Sequence, residues 1–266
     1  MKPQFLSLVM TGALCAGCSV LPPELSSLGA ASTSSASASS NPVTECATQT
    51  RALEQVPKSP TAASQSVDAM YWCSKAAEKG DVKSQVALAG LFERGVGTPV
   101  SLPDALRWYK SAADKGSAEA QFKVGQMYGR GQGVPMDRNE ASRWYIKAAE
   151  QGLPEAQYYM GYRYEHGKGI AQSYPDAVRW YGKAAEQGNL SAIYSLGQMN
   201  QAGHGVPQNR LEAYKWFNLA ATSGIKELIA SRDKAAARLT PAQQVEGQRL
   251  ASDWAKTHTI GKTLTY

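Results

Sequence analysis

The sequence predicts an all-α solenoid, a stack of helix pairs repeating every 36 residues. Two observations carry the prediction. Trp72, Trp108, Trp144, Trp180 and Trp216 stand at a constant interval of 36 residues, without insertion or deletion. Around each lies a near-copy of one decapeptide: YWCSKAAEKG ending at Gly80, then RWYKSAADKG, RWYIKAAEQG, RWYGKAAEQG, and KWFNLAATSG ending at Gly224. A fixed period of this size means that each unit is one supersecondary element that buries its apolar face on its neighbours.

The second helix of each unit is the more regular. Ala105, Trp108, Tyr109, Ala112 and Ala113 recur as Ala141, Trp144, Tyr145, Ala148, Ala149 and as Ala177, Trp180, Tyr181, Ala184, Ala185. This i, i+3, i+4, i+7, i+8 spacing draws one buried stripe. Ser101, Asp137, Ser173 and Asn209 are its N-caps, each followed three residues on by Asp104, Glu140, Asp176 or Glu212 in the manner of a capping box. Gly116, Gly152, Gly188 and Gly224 close it. The first helix opens at Asp81, Ser117, Leu153-Pro154 or Asn189 and is expected to bury Val86, Phe122, Tyr158 and Tyr194. At its centre stand Ala89, Gly125, Gly161 and Gly197. Glycine there costs about 1 kcal/mol of helix stability, so its periodic use predicts a close helix crossing. Between the helices Gly-x-Gly loops recur at Gly95, Gly131, Gly167 and Gly203. Lacking a third glycine, a Lys-Ser/Thr pair or a preceding strand, they are turns rather than phosphate cradles.

The unit Gly-x-Gly-Val-Pro followed by Glu-Ala-x-x-Trp-Tyr-x-Lys-Ala-Ala-Glu-x-Gly, seen at residues 131–152, resembles the Sel-one-like repeat family, a relative of tetratricopeptide repeats. The resemblance implies a right-handed superhelix of antiparallel helix pairs with its first helices on the concave wall. It covers residues 81–224 as four units after a half unit, so residues 43–80 are expected to form an N-terminal cap and half repeat. Small departures are Asn200 for the first-helix aromatic and Ala171 for the loop proline. After Gly224 the pattern fails, and residues 225–266 read as capping helices and a tail, with Thr240-Pro241 and Gln243 opening the last helix.

The N-terminus is a separate object. Lys2, an apolar stretch from Phe5 to Ala16 and the small residues Ala16 and Gly17 before Cys18 resemble a bacterial lipoprotein signal over residues 1–18. That resemblance implies lipidation at Cys18 and, from Ser19, an outer-membrane lipoprotein facing the periplasm; simple secretion is the alternative. Cys15 stands where such signals usually have leucine. Residues 19–42, mostly Ser, Ala, Gly and Pro, are expected to be a flexible tether.

Composition excludes some chemistry. The 28 Lys and Arg against 22 Asp and Glu are scattered, which argues against a nucleic-acid surface. His166, His204 and His258 have no clustered partners to complete a metal set, and neither a G-x-S-x-G nor an H-E-x-x-H motif occurs. No cofactor and no enzymatic activity are expected. Cys46 and Cys73 are either a disulfide suited to an oxidising compartment or, since Cys73 falls at the inward position of Tyr109, a small buried residue and a free partner. Some members of the resembled family carry cysteine pairs in every unit and are associated with β-lactam hydrolysis; this chain lacks those pairs.

Binding is therefore expected on first-helix positions that the repeat does not fix. These include Lys123, Gln126 and Arg130; Tyr159, Tyr162 and His166; Ser195 and Gln198, spaced to share one helix face. Tyr159 and Tyr162 have no aromatic counterpart in other units, and with Lys123, Arg130 and His166 they suit a peptide bearing acidic groups. The alternative is that both tyrosines pack on a neighbouring helix. The resemblance implies an envelope adaptor that binds protein or peptide and meets the membrane only through its lipid; non-catalytic peptidoglycan binding is the runner-up.

Overall fold

The computed structural model describes residues 41–55, 62–261 and 264. Among the described residues there are twelve α-helices and no strand. They are α1 (Pro42–Gln55), α2 (Ala62–Glu78), α3 (Val82–Arg94), α4 (Leu102–Asp114), α5 (Ala118–Arg130), α6 (Arg138–Glu150), α7 (Pro154–His166), α8 (Tyr174–Glu186), α9 (Leu190–Ala202), α10 (Arg210–Ala221), α11 (Lys226–Ala236) and α12 (Pro241–Ala255). Each helix from α1 to α10 packs on the next in chain order and α12 packs back on α10, which makes an all-α solenoid.

Local chemistry sets the helix ends. Asp81, Ser117 and Asn189 cap first helices through side-chain oxygens that accept backbone N–H groups, while Leu153 caps without such a bond and is followed by Pro154 at the first turn. Ser101, Asp137, Ser173 and Asn209 cap the second helices. The expected capping box is altered at the two serines. There Asp104 and Asp176 accept the cap hydroxyl at 2.6 and 2.7 Å. A box with both bonds forms at Thr240 and Gln243.

One contact sets the crossing within each pair. A Cβ placed on Gly161 would lie 2.5 Å from Cδ1 of Tyr181, and one on Gly197 would lie 2.6 Å from Cε1 of Phe217. Gly125 meets Tyr145 in the same way. The ring lies flat against bare helix backbone, so Tyr145, Tyr181 and Phe217 are almost completely buried. Val86, Phe122, Tyr158 and Tyr194, expected to be buried, are only half-buried. The three aromatic ones cover the outer edges of those rings instead, Phe122 on Tyr145, Tyr158 on Tyr181 and Tyr194 on Phe217, with centroids 5.5 to 5.7 Å apart.

A second device joins one unit to the next. Gln85, Gln121 and Gln157, 36 residues apart and buried, donate to the carbonyls of Ala77, Ala113 and Ala149 at the end of the preceding helix, at 3.1 to 3.2 Å. Gln151 and Gln187 extend the ladder by donating to Gln121 and Gln157 at 2.8 Å. The periodic tryptophans close the outer edge. Trp144 and Trp180 are buried, Trp72, Trp108 and Trp216 half-buried, and Lys147, Lys183 and Lys215 lie 4.2 to 4.4 Å from the ring centroids of Trp144, Trp180 and Trp216.

At the N-terminal end Cys46 of α1 is joined to Cys73 of α2 by a disulfide across 27 positions of sequence. A closed loop of this size contributes about 3–4 kcal/mol in the chain-entropy account. Pro42, read as the last residue of the tether, opens α1. Asn41 before it is also described, and its side chain accepts the Val43 N–H; residues 19–40 of the expected tether, the signal region and Cys18 lie outside the described residues. At the other end α11 and α12 cover α10, and Gly247 of α12 receives Tyr214, whose Cδ1 would stand 2.5 Å from a Cβ there.

Two glycines give opposite expectations. Gly161→Ala drives a methyl into Tyr181 and is expected to cost about 2 kcal/mol. Gly182→Ala in α8, where a Cβ would meet nothing within 4 Å, is expected to gain up to about 1 kcal/mol. Thermal melts of both variants check the pair, and equal melting temperatures would refute the packing assignment.

Candidate functional site: a cleft on the first helices

The expected binding residues separate into two groups. Tyr162 and His166 of α7 and Ser195 and Gln198 of α9 line one cleft of about 500 Å³. Lys123, Gln126 and Arg130 of α5 do not line it. Lys123 instead pairs with Glu93 at 3.2 Å, and Glu93 also accepts the Tyr109 hydroxyl at 2.8 Å. Tyr159 is a packing residue. It stacks on Tyr145 with centroids 5.2 Å apart and meets Phe122 edge-on at 5.4 Å.

The cleft has a polar floor and aromatic walls. Tyr181 donates to Glu165 at 2.6 Å and is also hydrogen-bonded to Ser195, while Tyr158 bonds Ser191; both serines are buried. Tyr158, Tyr162 and Tyr194 form the walls, and Leu228 of α11 closes one side. Tyr162 is held in place by Lys168, whose Nζ donates to its hydroxyl at 2.5 Å and lies 4.5 Å from its ring centroid. The charged groups of the cleft are Glu165, Glu227 and, when protonated, His166. The acidic-peptide preference inferred from Lys123 and Arg130 therefore does not attach to this cleft.

Sequence reasoning placed Tyr158 and Tyr194 in the packing and passed over Glu165. A signal for Glu165 was present, because Glu93 lies two periods earlier and bonds the equivalent tyrosine. A second, broader cleft of about 900 Å³ lies beside Met136, Arg138 and Lys168. Its walls are mostly turn segments that recur in every unit, with Tyr128 and His166 beside them, whereas the first cleft gathers Tyr162, His166, Ser195 and Gln198 from positions the repeat does not fix.

Arg163 is a further departure from the repeat. Leu91, Met127 and Met199 hold its place in the other units. Buried in α7, it donates to the carbonyls of Lys168 and Arg138 at 2.9 and 3.2 Å, stands 5.0 Å from the Tyr145 ring centroid and leaves Nε without a partner. Burial pulls its pKa below the ordinary arginine value. Beside it Gly129 takes the position that Glu93 and Glu165 hold elsewhere. A Cβ on Gly129 would make ordinary contacts, 3.6 Å from Cβ of Ala141, 3.7 Å from the Tyr145 hydroxyl and 3.8 Å from Arg163 Nη2.

Among the described residues no group of three or more His, Cys, Asp and Glu is placed to hold a metal ion, and no helix is long and apolar enough to cross a membrane. Fold and cleft together define an α-helical repeat scaffold of the kind that serves protein–protein interaction and is typically non-catalytic. The chain belongs to the Sel1 repeat family, which matches residues 64–81, 82–117, 118–153, 154–189 and 190–225. It is similar to a protective antigen of uropathogenic Escherichia coli displaying an SLR fold, with 29% identity and a TM-score of 0.71 over 82% of this chain and 46% of that one. A Sel1 repeat protein from Oxalobacter formigenes is 36% identical, with a TM-score of 0.58 over 63% of this chain and 49% of the other. The chain thus spans about half the length of these two solved relatives. Comparison with curated proteins gives no match.

Two measurements test this geometry. Burial raises the pKa values of Tyr109, Tyr145 and Tyr181 from 10.0, and that of Tyr158 to about 12. Above pH 10 the unfolded chain releases phenol protons that the folded chain retains. Stability is therefore complete below pH 10 and is expected to fall as pH rises through about 12. Urea unfolding across that window should show the decline, and Tyr145→Phe should make it shallower. Gly129→Glu, supplying Arg163 and the Tyr145 hydroxyl with a carboxylate, is expected to raise stability by about 1–2 kcal/mol. A lowered melting temperature in that variant would refute the reading of Arg163.

Proposed function

We propose that this chain is an envelope-anchored scaffold that holds a protein or peptide in the cleft between α7 and α9, as an adaptor for secretion or cell-wall assembly machinery. The observation that carries the binding half is the gathering of Tyr162, His166, Ser195 and Gln198, all at positions the repeat does not fix, around one cleft. Half-buried tyrosines beside buried hydroxyls suit peptide capture, since they supply rigid contact area and hydrogen bonds together. The anchoring half is supported by the sequence around Cys18.

The two tyrosines separate recognition from packing. Tyr162→Ala with Gln198→Arg is expected to lower partner recovery from envelope extract while leaving the melting temperature nearly unchanged. Tyr159→Ala is expected to cost about 2–3 kcal/mol of stability while capture per folded molecule persists. The opposite pattern would overturn the assignment. Retention on purified sacculi that depends on Tyr162 and Gln198 would transfer the cleft to peptidoglycan.

A further inference from the structure

The segment after α12 returns to the repeats rather than leading away from them. His258 stacks flat on Trp254, with centroids 4.1 Å apart and planes within 5°, and Trp254 in turn meets Trp216 edge-on at 5.6 Å. From this turn the chain crosses the α8–α9 corner, where the Gly261 N–H donates to the Gly188 carbonyl at 2.8 Å. The carbonyl of Thr259 sits where a Cβ on Gly188 would stand. At the equivalent Gly116, Gly152 and Gly224 a Cβ would meet nothing within 4 Å, so this contact is particular to one unit.

The reason for the docking point lies in the repeat. In two earlier units the corner carbonyl is served by a long side chain of the next unit, Gly80 by Lys115 and Gly152 by Gln187, each at 2.8 Å. The residue in that place after Gly188 is Ser223, whose short side chain bonds Ala220 instead. An acceptor is left for an incoming backbone amide. Beyond it, Ile260 and Leu264 pack on the cluster that contains Leu190, Ile193 and Leu228, and Leu264 lines the cleft beside Tyr158, Tyr162 and Ser195. Among the described residues the segment is tied at the corner by the Gly261–Gly188 backbone hydrogen bond and contributes the half-buried side chains of Ile260 and Leu264. In sequence Lys262 stands between them, and the cleft carries Glu165 and Glu227.

We propose that the cleft takes an extended peptide anchored by an aliphatic side chain, and that the chain's own Leu264 is its resident occupant, displaced when such a peptide from a partner binds. The proposal rests on the reading of the cleft as the partner site and adds the chemistry of the partner and a built-in competitor. A resident segment lowers apparent affinity by the fraction of time it occupies the site. Only a partner segment that outcompetes it is then held.

The test uses the full chain and a labelled peptide of residues 257–266. Leu264→Glu removes the anchor and sets a carboxylate near Glu165 and Glu227, and this variant is expected to bind the peptide at least about tenfold more tightly than the parent. Gly261→Pro, which lacks the amide that serves Gly188, is expected to act in the same direction. Adding Tyr162→Ala and Gln198→Arg to Leu264→Glu is expected to abolish peptide binding. Equal binding by parent and both folded variants, or binding by none of them, would overturn the proposal and leave the segment as a structural cap, which a lowered melting temperature would reveal. Failure of the underlying reading looks different: Tyr162→Ala with Gln198→Arg would leave partner capture from extract unchanged whatever the peptide does.

Discussion

The seating of an aromatic ring against a mid-helix glycine is the constraint on which the rest depends. Gly125, Gly161 and Gly197 bring two helices together until Tyr145, Tyr181 and Phe217 lie on bare backbone. Each glycine weakens its own helix, and the burial of a whole ring more than offsets that cost. The crossing so fixed determines where the next side chains go. Residues one step from the contact, such as Phe122, Tyr158 and Tyr194, are pushed to the edge of the ring and become half-buried. That displacement puts Tyr158 and Tyr194 in the wall of the cleft rather than in the core.

Stacking between units has a different origin. The glutamine ladder through Gln85, Gln121 and Gln157 brings a second donor to carbonyls at the end of the preceding second helix, which already accept the N–H of Gly80, Gly116 and Gly152, and so ties each unit to the one before. At the fourth unit Ile193 replaces the glutamine and is fully buried. The same unit puts Ser223 where Lys115 and Gln187 stand earlier. Polar regularity thus ends at α9, and both the cleft and the docking point of the following segment lie on that helix or at the corner that leads into it.

The parts of the fold legible in the sequence are those that recur. Caps, corner glycines and the apolar stripe each appear four or five times at one spacing and the glycine crossing three times, so a local preference and a global arrangement reinforce one another. The glutamine ladder was equally periodic and went unread, because a buried amide looks like a surface residue until its acceptor is known. Of the candidate site, Tyr162, His166, Ser195 and Gln198 were found by subtracting the repeat, and the cleft unites them. Subtraction could not tell Tyr159 from Tyr162. One helical turn separates a side chain that stacks on Tyr145 from one held at the rim by Lys168.

By itself the sequence determined the helices, their pairing and their order, because these depend on contacts within a single period. The tertiary structure decided what happens across periods. It set Lys123 against Glu93 and away from the cleft, buried Arg163 against two carbonyls, joined Cys46 to Cys73 and laid Leu264 beside Tyr162. Each of these contacts involves at least one residue that occurs once, and nothing in a single chain settles the neighbour of an unrepeated residue until packing has fixed the distance between them.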